Sequence, residues 1–156
     1  MLNRIFPAAF DNTYRGHRLA FWLLVPLTLL NLVIDVMAIL APDGEAQSAD
    51  GIPLFSYPPA AAAAVVGVVG FLGLAGLLLG VFRILALTRY RAMIPLIYAL
   101  LVLEYPAHKA VGLIKPIARF GGTHGADITL VLFGLAVVGL ALSVTGKGYA
   151  AGRTPS

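Results

Sequence analysis

Six polar side chains of the first and third apolar stretches are the candidates for chemistry, and their spacing sorts them into two groups. Thr28, Asn31 and Asp35 are three and four residues apart, so a helix places them on one stripe. Glu104 and His108 are four apart and share a face, with Lys109 next in sequence. A carboxylate with an imidazole one turn away can bind and release a proton or a cation, as intramembrane carboxylates do in small transporters. The same groups can equally act as a polar staple that fixes which helices pair. An unpaired charge at the centre of a bilayer costs about 2.5–3.5 kcal/mol on insertion scales, so both readings require these groups to face one another rather than lipid.

Glycine makes the second pattern. Gly67, Gly70, Gly73, Gly76 and Gly80 follow the alanine run Ala60 to Ala64. At about 100° per residue, Ala60, Ala63, Gly67 and Gly70 share one face, and Gly73, Gly76 and Gly80 share another. Glycine is a poor helix former, so this density implies that another backbone comes close, as small residues allow between transmembrane helices. The interface is either with another chain, as a homo-oligomer or a larger membrane complex, or within one four-helix bundle, where Gly134 and Gly139 are candidate counterparts.

The elements that must carry these residues follow from composition. Of 156 residues, 60% are hydrophobic and 12% charged, and the mean hydropathy is +0.91. Average soluble domains carry about 25% charge. The expected solvent is therefore the lipid bilayer, and the fold class is all-α, an integral membrane bundle of four transmembrane helices. The expected spans are about 19–41, 59–82, 92–114 and 128–145, in one membrane domain over 1–156, with an outer acidic loop at 42–58. Pro42-Asp43-Gly44 closes the first span, Pro58-Pro59 opens the second, and Arg83 bounds it. The purely apolar part of the third, Ala92 to Leu103, rises only about 18 Å, so that helix must run on through Glu104, His108 and Lys109 to cross. Measured along the helices from the arginine-rich ends, Asp35 and His108 lie about 25 Å in and Asn31 and Glu104 about 20 Å, so the polar groups match in depth if the helices are neighbours. Pro106 interrupts one backbone hydrogen bond between them.

Basic residues set the orientation. Arg4, Arg15 and Arg18 precede the first span, Arg83, Arg89 and Arg91 lie between the second and third, and Lys147 and Arg153 follow the fourth. The opposite side holds Lys115 and Arg119 with Asp43, Glu45, Asp50 and Asp127, so both termini are expected in the cytoplasm. A cleaved signal peptide is disfavoured because the first apolar run exceeds the usual h-region of about 7–15 residues. Leu2, Phe6, Phe10 and Tyr14 recur every four residues, which fits either a short N-terminal helix on the membrane surface or an irregular tail.

Much other chemistry is excluded. There is no cysteine, and no Walker loop, HExxH, GxSxG or dinucleotide fingerprint. The acidic loop lacks calcium-loop spacing, and His17, His108 and His124 are expected in hydrogen-bonding or loop roles, so neither metal nor cofactor is expected. In a membrane protein a net charge of +4 records topology, and no nucleic acid is expected as a partner. The segments VPLTLLNLVID (25–35) and IPLIYALLVLE (94–104) echo each other, each placing a carboxylate nine residues after a Pro-Leu pair, as a duplicated hairpin would.

The run FDNTYRGHRLAFWLL (10–24), together with RYRAMIPLIY (89–98), resembles small four-helix bacterial inner-membrane proteins. The resemblance covers only these two stretches and implies topology alone. The expected function is that of a non-enzymatic, multi-pass inner-membrane protein for structure or assembly, using the glycine faces of the second helix. The alternative is a small oligomeric transporter or proton- or cation-coupled carrier using Asp35, Glu104 and His108.

Overall fold

A computed structural model describes residues 5–7, 9, 11–120 and 124–145. It is all-helical, with helices α1 (Arg18–Leu40), α2 (Pro59–Thr88), α3 (Ile94–Ile114) and α4 (His124–Thr145), and no strand among the described residues. All four are long and apolar enough to cross a membrane. Each boundary has a local cause. The His17 ring Nδ1 accepts the Leu19 N–H at 3.2 Å and so caps α1, while Pro42 follows its end. Pro59 sits in the first turn of α2 and Pro95 in the first turn of α3, where a missing N–H costs nothing.

Three helix bounds differ from the sequence expectation by two residues or more, among them the start of α4, at His124 rather than 128. The second helix does not stop at Arg83 but continues to Thr88, giving 30 residues, or about 45 Å. Ile84, Leu85, Ala86 and Leu87 continue the apolar pattern, and Ala86 is fully buried, so packing carries the helix past the charge. The third helix begins at Ile94, after a single 3-10 turn at Arg91–Met93. Of the two readings of the N-terminus, a surface helix or an irregular tail, residues 11–17 take the irregular one; Leu2 and Phe10 lie outside the described residues, as do Arg4, Lys147 and Arg153. Pro26 lies well inside α1 whereas Pro95 opens α3, so the two echoing segments do not occupy equivalent places.

In space the order is α2, α1, α4, α3, with α2 and α3 only lightly in contact. The core gathers at the arginine-rich end, where Ala20, Leu24 and Leu27 of α1 meet Ala86 of α2, Ile94, Ile97 and Tyr98 of α3, and Ala136 of α4. Tyr98 is its centre. Fully buried, it donates its hydroxyl to the Ala20 carbonyl at 2.7 Å, and its ring lies against Gly139, where any side chain would overlap it. Past Val102, α3 has no buried residue, and the flank between α2 and α3 is open along that half.

At the other end the loop after α1 turns tightly, with Gly44 and Gly51 at φ 58° and 69°. Asp43 organises the turn, its two carboxylate oxygens accepting the N–H of Glu45 at 3.1 Å and of Ser48 at 2.7 Å. Partial burial raises its pKa, but these hydrogen bonds, with one from the Ser48 side chain, more than offset that and hold the carboxyl below its usual range. A depressed pKa stabilises the folded turn above the unfolded value of about 3.9 and loses that stabilisation as pH falls through the folded one. The protection of the Ser48 amide against exchange, relative to its intrinsic rate at the same pH, is therefore expected to fall at acid pH and, in Asp43→Asn, already at neutral pH, because an amide keeps only one of the two acceptors.

Candidate functional site

The glycines of α2 register it against α1. A methyl group at Gly73 would meet the Asp35 carbonyl at 2.6 Å and Ala38 Cβ at 2.9 Å. One at Gly76 would occupy the space of the Asp35 carboxylate, and one at Gly80 would overlap Leu32. The face Gly73–Gly76–Gly80 is thus filled from within the chain, because α1 comes to backbone distance there. Gly70 has only the Ala38 carbonyl near, at 3.8 Å, while Gly67 and Gly134 have nothing within 4 Å.

Continuing the same antiparallel register brings Arg83 of α2 to the level of Thr28 of α1. Arg83 is 6% exposed, and its Nη2 lies 4.0 Å from Glu104 Oε2 on α3, while Glu104 keeps 46% of its side chain exposed on the open flank. Arg83 and Glu104 both act electrostatically on Asp35, which sits in the notch that Gly76 leaves. Thr28 Oγ1, Asp35 Oδ2 and Arg83 Nη1 are buried without a hydrogen-bond partner among the described residues. Three helices thus contribute to one group of charged side chains, in which Arg83 pairs with Glu104 and both act on Asp35.

The structure therefore regroups the sequence candidates. Asp35 and Glu104 are drawn together through Arg83, with Thr28 level with it. Asn31 turns back onto its own helix, donating Nδ2 to the Leu27 carbonyl at 2.8 Å. His108 is exposed and forms no hydrogen bond or ion pair among the described residues, where Glu104 has Arg83 rather than His108 as its partner. Lys109 points elsewhere, its Nζ 5.5 Å above the ring of Tyr105, which stacks on Phe133 of α4 at 4.7 Å. His108 and Lys109 both lie past Val102, on the part of α3 that has no buried residue.

A second concavity lies at the arginine-rich end. The irregular segment 11–17 is strapped across the helix ends: Ala92 donates its N–H to the Asp11 carbonyl at 3.2 Å, and His17 donates its own to the Leu142 carbonyl at 3.1 Å. Beneath the strap is a cavity of about 460 Å³, whose lining includes Phe6, Tyr14, Arg15, Arg91, Pro95 and Ser143. Gly16 is obligatory there, since a Cβ would stand 2.6 Å from the Ser143 carbonyl. Burial pushes the Tyr14 phenol up to about 12, so it stays protonated and donates to the His17 carbonyl at 3.0 Å. Sequence reasoning missed Arg83 and this cavity.

Compared with family models, curated proteins and solved structures, the chain matches none.

Proposed function

We propose that this chain is a multi-pass bacterial inner-membrane protein without catalytic activity that assembles with another membrane protein through the open flank between α2 and α3. The observation that carries this reading is Glu104: a carboxylate within a membrane-spanning helix, held on one side by Arg83 and 46% exposed on the other. Facing lipid, a charge so placed costs about 2.5–3.5 kcal/mol near the bilayer centre, and a donor from a neighbouring helix removes that cost. The occupant is a transmembrane helix of another protein bearing a basic or hydrogen-bond-donating side chain at the depth of Glu104, packed on Leu100 and Val111, which lie on the same stripe of α3 and are more than half exposed. Of the two glycine faces of α2, that of Gly73, Gly76 and Gly80 is not this interface, because α1 already fills it, whereas Ala60, Ala63 and Gly67 on the other face remain exposed.

A second reading, a proton- or cation-coupled carrier, draws on the buried unpartnered atoms of Thr28, Asp35 and Arg83. Glu104→Gln separates the two. Assembly predicts that the variant loses a co-purifying partner in mild detergent and melts slightly lower, while reconstituted liposomes show the same proton flux as wild type. A pH-gradient-driven flux that disappears with Glu104→Gln would overturn the assembly reading in favour of the carrier.

A further inference from the structure

We infer that the cavity under the N-terminal strap is a binding site for a phosphate-bearing anion, and that the anion is the headgroup of an acidic phospholipid. Among the described residues the lining carries two arginines, Arg15 and Arg91, against one acid, Asp11. Asp11 is already engaged, its Oδ1 accepting the Thr13 N–H at 2.9 Å. Arg91 is held by the ring of Phe21, 5.1 Å beneath its guanidinium, so part of its ordering is complete before a ligand arrives.

Position selects the lipid over a soluble phosphate. The cavity lies where α1 and α3 begin and α4 ends, at the level where these apolar helices leave hydrocarbon for headgroups. Phe6, Pro7 and Pro95 supply apolar lining beside the arginines, as a glycerol backbone and the first acyl carbons require. Basic pockets between transmembrane helices recognise anionic headgroups in this manner, and each interfacial arginine contributes about fivefold in binding.

Native mass spectrometry of the full chain in mild detergent, titrated separately with phosphatidylglycerol, phosphatidylcholine and inorganic phosphate, tests the assignment. One phosphatidylglycerol is expected to be retained in preference to phosphatidylcholine. Arg15→Gln and Arg91→Gln each lower its retention about fivefold. Asp11→Asn preserves the acceptor for Thr13 and is expected to raise retention, so a loss in the arginine variants through misfolding alone does not mimic the result. Equal retention of the two lipids, or no change in any variant, overturns the site. Displacement of phosphatidylglycerol by millimolar inorganic phosphate overturns the lipid as the source of the anion.

Discussion

Replacing Tyr98 by alanine is expected to destabilise the bundle by about 3–5 kcal/mol, the range for removing a fully buried aromatic ring. The ring lies between α1, α3 and α4 and fills the space that Gly139 leaves. Its hydroxyl is a separate contribution, a single hydrogen bond to the Ala20 carbonyl worth about 1 kcal/mol. Tyr98→Phe should therefore lose about that amount and keep the fold. Unfolding in mild detergent by heat or by denaturing surfactant measures both, and equal losses in the two variants would place the value in the hydroxyl rather than in the packing.

Gly76→Ala is expected to destabilise the α1–α2 pair by about 1–3 kcal/mol, the usual cost of overpacking, and Gly76→Leu by more. The obstacle is specific: the added carbon falls on the Asp35 carboxylate. Shortening Asp35 should therefore relieve it, so that Asp35→Ala combined with Gly76→Ala costs less than the two single changes added together. Residues in contact show such couplings of about 0.5–3 kcal/mol in double-mutant cycles. Strict additivity would mean that α1 does not seat on Gly76. Loss of an oligomer with unchanged stability in Gly76→Leu would return the glycine face to the role of an interface between chains.

The helices were legible because apolar runs of sufficient length are bounded by residues with local consequences, such as Pro42 and Pro58. The bound placed at Arg83 was not reliable, since a charge ends an apolar run in sequence but not a helix in space. The signal that could have corrected it was Ile84 to Leu87, which prolongs the apolar pattern to Thr88. Partners within the polar cluster were not legible, because helical spacing groups residues of one helix and says nothing of neighbours. Glu104 and His108 share a stripe, yet only Glu104 lies near a charge on another helix. The strap depends on contacts such as Asp11 with Ala92, far apart in the chain and without periodicity.

The arrangement of Asp35, Arg83 and Glu104 leaves one charged side chain on an open flank, and the proposed assembly rests on that flank being covered in the membrane. Photo-crosslinking in native membranes tests it most directly, with a photoreactive residue at Leu100, one turn from Glu104, and a control at Val131 of α4, which is also exposed. A discrete adduct with a single membrane partner from position 100, weakened by Glu104→Gln and missing from position 131, is the predicted result. Adducts only with a second copy of the chain would change the occupant to a homo-oligomer. No adduct from position 100, or equal labelling from both positions, would contradict the flank as a docking surface.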